Sequence, residues 1–283
     1  MPDHWMSLVS GRADAIMPVC FSKYGGITLV RQPPFTAYSG PWLAPVAEQR
    51  RAVRDRLERR AMDSLIQQLP PCAYFSQHFH PECTNWYPFF LRGFEQTTRY
   101  TFQLDAQCDI LGNIRSETRR KMQRGLQGVQ PEVLNNSNAC MALFECTLRR
   151  HYPVRKVEKQ LFVLNRLLQA LQARNHLLLL GMRHRHSGTL LSVQAVAYDH
   201  QCASLVLTGQ RIDARFPDLH LAALLELALW AHTRRLSVDL EGSMHPGLER
   251  IYQSLGGVRT PYHRISSIQN PFLRLLAYIA GKR

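Results

Sequence analysis

Lysine is scarce in this chain of 283 residues: only five of its 35 basic side chains are Lys, and the other 30 are Arg. Acidic residues number 21, which leaves a formal net charge of +14. No stretch reaches the roughly 18 consecutive apolar residues of a membrane-spanning helix, which argues against an integral membrane protein. The first residues, MPDHWMSLVSG, lack a basic region followed by an apolar core and a cleavage site, so a cytoplasmic location is expected. The seven cysteines include no CxxC pair, which argues against a disulfide framework and for reduced thiols. Ligand sets at metal spacing are missing too. His78, His80 and Cys83 form an H-x-H-x-x-C cluster in which the two histidines share one face of a strand, but no fourth ligand stands at recognisable spacing, and no metal is expected.

What is present reads as globular. The chain is 45% hydrophobic and 20% charged, and its length suffices for two ordinary domains. Arginine's planar fork suits bidentate contact with phosphate. A polyanionic partner fits that excess, and so does a generally basic composition that marks nothing specific.

The most readable stretch is LSVDLEGSMHPGLERIYQSLGGVRTPYHRI, residues 236–265. Apolar and polar residues alternate from Leu236 to Leu240, the period of a half-buried strand. Gly242 should stop it. Ser243 or His245 can cap a helix with Pro246 in its first turn, and Leu248, Ile251, Tyr252 and Leu255 keep helical spacing until Gly256-Gly257. A second strand is expected over Arg259 to Ile265. Glu241 therefore stands at the C-terminal end of a strand, where open sheets build sites.

Earlier in the chain, His4 to Val9 and Ala13 to Cys20 read as a hairpin around Gly11, and QPPFTAYSGPW as a loop. A helix with an Arg-rich outer face is expected from Pro45 to Leu69, a strand from Ala73 to Phe79, a short aromatic helix or turn from Pro81 to Phe90 and a strand from Thr97 to Leu104. Basic residues crowd a helix from Ile114 to Leu126. Ser137 to Arg150 reads as another helix, and Val157, Leu161, Leu164, Leu168 and Leu171 mark the apolar seam of a third. Leu177 to Met182 and Thr189 to Tyr198 make a hairpin, and Ala203 to Thr208 a further strand. Leu219 to Trp230, apolar on nearly every side, should be a buried helix.

The order hairpin, loop, helix, strand, HisPro turn, short helix, strand occurs twice, which reads as an internal duplication, with a coincidence of pattern as the plainer alternative. QHFHPECTNWYPFFLRGFEQTTRYTF can be laid beside VDLEGSMHPGLERIYQSLGGVRTPYHRI. On these two stretches, on QPPFTAYSGPW and on the basic helix IRSETRRKMQRGL, the chain resembles the FemAB-like (Acetyltransf_6-type) branch of the GNAT acyltransferases over nearly its whole length. The resemblance implies an α/β (α+β) fold of two tandem GNAT-like units, each a mixed, mostly antiparallel sheet flanked by helices. The first unit, 1–110, would be N-terminally shortened, and the second would span 111–283.

It also implies transfer of an acyl or aminoacyl group from an activated carrier to an amine. The expected carriers are acyl-CoA, an acyl-carrier protein or aminoacyl-tRNA, all polyanionic, with no tightly bound cofactor and no DNA partner. GNAT proteins that bind acetyl-CoA use a glycine-rich loop ahead of the buried helix. Here that position reads GQRIDARFP from Gly209, without the motif's glycines, so Arg211 and Arg215 are the candidates for donor phosphate, with ordinary loop arginines as the alternative.

Glu241 is the first catalytic candidate, as general base or amine anchor, with Asp239 on the same face; a helix-capping acid is the plainer reading. Tyr198 and Tyr262 are candidates for protonating the leaving group, against a packing role. Arg99, Tyr100 and Thr101, with Asn85 and Trp86, are carried over by the resemblance as acceptor contacts. The tail NPFLRLLAYIAGKR is amphipathic with basic ends, suited either to a membrane surface or to docking on the core. A non-catalytic scaffold that binds an acyl carrier or RNA is the competing class.

Overall fold

The computed structural model describes residues 4–11, 14–45, 50–107, 109–211, 216–241 and 246–279. In chain order the elements are β1 (His4–Val9), β2 (Ala15–Tyr24), β3 (Ile27–Val30), β4 (Trp42–Leu43), α1 (Arg51–Gln67), β5 (Tyr74–His78), α2 (Tyr87–Phe90) and β6 (Glu95–Leu104). Then come α3 (Ile110–Asn113), α4 (Ser116–Gly125), β7 (Val129–Val133), α5 (Asn138–Arg149), α6 (Val154–Gln172), β8 (Leu177–His184), β9 (Leu190–Tyr198) and β10 (Cys202–Gln210). The chain closes with α7 (Leu219–His232), β11 (Ser237–Asp239), α8 (Pro246–Ser254), β12 (Val258–Ile268) and α9 (Pro271–Ile279). The caps expected at Ser243 and His245 lie outside the described residues.

Two compact units result, one of Met1–Arg99 with Pro261–Arg283 and one of Tyr100–Thr260. These bounds differ from a division at 110/111, because β6 and β12 each contribute residues to both units. In the first unit the strands run β1-β2-β3-β5-β12, with β4 beside β2. β3 and β5 are parallel, and β5 is antiparallel to β12 with Arg264 opposite His78. The second unit repeats the scheme as β6-β11-β10-β9-β8-β7. Its parallel pair is β10 with β11, and β11 is antiparallel to β6 with Val238 opposite Leu104. Each sheet is thus completed by the strand that ends the other repeat, so the duplicated pattern in the sequence corresponds to two matching, mostly antiparallel sheets.

The cores follow from the patterning. Phe75, Phe79, Phe89 and Phe94 stack edge to face beneath Met62 and Leu65 of α1 in the first unit. In the second unit α7 is apolar all round and buries nine side chains, among them Leu224, Leu227 and Ala228, against Val196, Leu205 and Val238. Gly209 allows α5 to lie close on β10: a Cβ there would stand 2.8 Å from the carbonyl carbon of Leu143. Among the described residues no helix is long and apolar enough to cross a membrane.

Candidate active site

In the second unit β10 and β11 pair at only three positions, Cys202–Ser204 with Ser237–Asp239. β10 then continues to Gln210 while the chain leaves the sheet at Leu240. A bulge between Leu205 and Leu207 turns β10 further from regular pairing, as bulges beside sites do. The sheet opens there into a cleft of about 410 Å3, lined by Leu205 to Thr208 and Gln210 of β10, Glu241, His220 of α7, Tyr252 of α8 and Thr147 of α5.

Glu241 holds an unusual backbone conformation, with φ of +48°, a region that non-glycine residues seldom occupy. Asp239 holds it there. Its Oδ1 accepts the Glu241 backbone N–H at 2.9 Å, a turn closed by an aspartate side chain. The same oxygen accepts the Thr101 hydroxyl at 2.5 Å, and Oδ2 accepts Gln103 Nε2 at 3.2 Å. Asp239 and Thr101 are buried, 2% and 0% exposed, so this carboxylate acts as a bracket, not as a group facing the cleft. Strain of this kind concentrates at functional positions. Burial, helped by the charge of Asp239, pushes the Glu241 carboxyl well above the usual carboxylate range. Burial first, then the two carboxylates, pushes the Tyr252 hydroxyl up to about 12. The cleft therefore pairs a carboxylate of raised basicity with a phenol that stays protonated. His220 Nε2 and Thr208 Oγ1 are buried with no hydrogen-bond partner among the described residues. Burial lowers the pKa of His220, which keeps its imidazole neutral.

Gln210 and His220 also line a second cavity, of about 340 Å3, at the start of α7. Lys121 of α4, paired with Glu117 at 2.7 Å, and Arg250 of α8 bring positive charge to it, and Asp218, whose carboxylate binds Arg124 at 2.5 Å, brings one negative charge. Arg211 lies beside this cavity in sequence, its backbone N–H bound to Leu191 O at 2.9 Å, and Arg215 lies outside the described residues.

The other expected residues are placed elsewhere. Tyr198, at the end of β9, packs edge-on to Trp230 near the C-terminal end of α7, whereas the cleft takes His220 from that helix's first turn. Tyr262 belongs to the first unit, buried against the rings of Tyr38 and His78. Tyr100 stands under the Arg259 guanidinium, 5.7 Å from the ring centre. Asn85 Oδ1 accepts the Tyr87 N–H and Trp86 packs on the phenylalanine core, both local roles. Sequence reasoning missed Tyr252 and His220 as cleft residues. Both lie on helices whose apolar spacing accounts for them as core, and only the fold brings them to the lining of one cleft.

Arg99 and Arg264 flank His78, whose Nδ1 lies 3.3 Å from Ala37 O. Burial, followed by the charge of Arg99, lowers its pKa from 6.5 to about 4. A histidine with a depressed native pKa stabilises the fold above its unfolded pKa, and that contribution is lost as pH falls from 6.5 towards 4. His78→Phe should flatten the loss, which melting temperatures across that window would show. Burial also raises the Cys83 thiol to about 12, and among the described residues no group of three His, Cys, Asp or Glu side chains is placed to hold a metal.

No protein-family model matches the chain, and no curated protein sequence does. Solved structures do. FemX superposes with a TM-score of 0.60 at 12% identity, over 96% of this chain and 90% of FemX. L-PGS from Bacillus licheniformis gives 0.61 at 12%, over 98% of this chain and 88% of that one. A tandem GNAT protein from the clavulanic acid biosynthesis pathway gives 0.52 at 12%, over 94% and 84%. With the repeated sheets and the cleft at the end of β11, these likenesses establish that the chain has a FemAB-like GNAT fold in two tandem units.

Proposed function

We propose that this protein is a GNAT-type N-acyltransferase that moves an acyl or aminoacyl group from an activated carrier to an amine. The observation that carries the reading is Glu241, bracketed by Asp239 in a left-handed conformation at the cleft and raised in pKa. Deprotonated, such a carboxylate takes the proton of the acceptor's ammonium, and its raised pKa makes it the stronger base. The freed amine nitrogen attacks the carbonyl carbon of the carrier's thioester or ester. In the resulting tetrahedral adduct the oxyanion needs a donor, and a neutral His220 or the Thr208 hydroxyl fits that need. Collapse forms the amide and breaks the bond to the carrier: the leaving sulfur or oxygen takes a proton from Tyr252, which lines the same cleft as Glu241, and the surplus proton on the adduct's nitrogen passes back to the Tyr252 oxygen.

The carrier's phosphates fit the cavity at the start of α7, where Lys121 and Arg250 supply charge in place of the absent glycine-rich loop. Acyl-CoA, acyl-carrier protein and aminoacyl-tRNA all meet that requirement. Incubating the protein with each carrier, labelled in its acyl group, and with a mixture of primary amines tests the proposal. Label recovered in an amide is the expected result, and label that stays on all three carriers contradicts it.

A further inference from the structure

The loop QPPFTAYSGPW, which the transfer chemistry above does not use, is held more firmly than a plain connection requires. Gln32 is its hub: Nε2 donates to Thr36 O at 2.8 Å, while Oε1 accepts the Ser39 hydroxyl at 2.8 Å and the His78 N–H at 2.9 Å. The N–H groups of Ser39 and Gly40 both donate to His78 O, at 2.9 and 3.1 Å. Only glycine fits at 40, since a Cβ would come within 2.9 Å of Phe79 Cα. Phe35 accepts a φ of +56°, and Trp42 is pinned to β2 by pairing with Ile16.

This framework presents Tyr38 and Trp42 to a cavity of about 380 Å3, which His80 and Glu82 of the HisPro turn also line. Trp42 remains 55% exposed although its backbone is fixed, and Tyr38 meets the His80 ring edge-on at 5.1 Å. The charges are as telling as the rings. No Lys or Arg lines the cavity, in a chain that has 35 of them, and its one carboxylate, Glu82, has a side chain 91% exposed and only a loose contact with His80 at 3.7 Å. Aromatic faces with a single carboxylate and no cation attract positive charge, through the ring quadrupole and through Coulomb attraction.

We propose that this cavity binds an organic ammonium ion, held by the rings of Trp42 and Tyr38 with Glu82 as counter-ion. Its volume is that of a small-molecule site. The binding involves no transfer step, so it stands or falls separately from the role of Glu241.

Calorimetric titration of the full chain with choline, and with its neutral isostere 3,3-dimethylbutan-1-ol, tests the proposal. Choline should bind about ten-fold or more tightly than the alcohol. Trp42→Leu should weaken choline about two- to thirty-fold, and Trp42→Phe should restore much of the loss. Glu82→Gln, a change at an exposed side chain that leaves folding untouched, should weaken choline and reduce the salt dependence of its binding. Equal affinity for choline and the alcohol, no binding of either, or a preference for glucose over both would overturn the assignment.

Discussion

Glu241→Gln is expected to slow amide formation about 10²- to 10⁴-fold, the usual contribution of a positioned general base. Carrier affinity should stay unchanged, because the amide keeps the shape of the carboxylate and the backbone bond to Asp239 does not involve the side chain. The pH dependence carries a sign. A base works deprotonated, so the wild-type rate should rise with pH through a midpoint above the usual carboxylate range, following the raised pKa of Glu241, and the variant should lose that limb. Stability moves the other way. A carboxyl whose native pKa is raised stabilises the fold below its unfolded pKa, and the contribution disappears as pH rises through the native value. At neutral pH the Gln variant should therefore be at least as stable as the wild type, and thermal melts with single-turnover rates at several pH values would show both effects.

Asp239→Ala should be costly to the fold itself. The carboxylate is 2% exposed and accepts from Thr101, Gln103 and the Glu241 backbone, so its removal strands a buried hydroxyl, an amide and an N–H at once. Orphaned groups of this kind cost about 1–3 kcal/mol each, and a total of about 3–5 kcal/mol is expected by urea denaturation. Activity should fall as well, because the Asp239 bond to the Glu241 N–H closes the turn that holds its left-handed backbone. Asp239→Asn keeps an acceptor oxygen for the N–H and should lose less. A loss confined to stability, with the rate per folded molecule intact, would show that the bracket does not position Glu241.

Much of this was legible in the sequence where periodicity and punctuation agree. The strand before Glu241, the helix after Pro246 and the all-round apolar α7 emerge close to their expected bounds. The basic helix before residue 126 is α4. Other elements were hidden for physical reasons. β7 contains Pro131, which argues against a strand, and it is tolerated because β7 pairs only with β8 at the edge of its unit's sheet. β3 is four residues long with a single fully buried side chain, too short for alternation to show.

Spacing also predicts which strands exist better than which strands pair. The exchange that sets β12 beside β5 and β11 beside β6 depends on contacts across most of the chain, so a boundary drawn at 110 follows the repeat and not the packing. The candidate site divides in the same way. Glu241 was visible because a glycine turn follows a strand, and Asp239 because it shares the strand's face. Its function as a bracket needed Thr101 and Gln103, more than 130 residues away in the chain. Tyr198 satisfied the same chemical reasoning as Tyr252, and only the direction of β9 carries it to the other end of α7. α9 leaves Phe272 and Leu275 66% and 55% exposed, in keeping with the amphipathic spacing of the tail.

The most direct measurement is the affinity of the purified protein for acylated against unacylated carrier, made in parallel for acyl-CoA, acyl-carrier protein and aminoacyl-tRNA at two salt concentrations. A transferase with its cleft at Glu241 should prefer one acylated carrier over its bare form, and that preference should persist when salt weakens the phosphate contacts. Equal binding of acylated and bare forms of every carrier, falling steeply with salt, would contradict the account and leave a polyanion-binding protein on a GNAT scaffold.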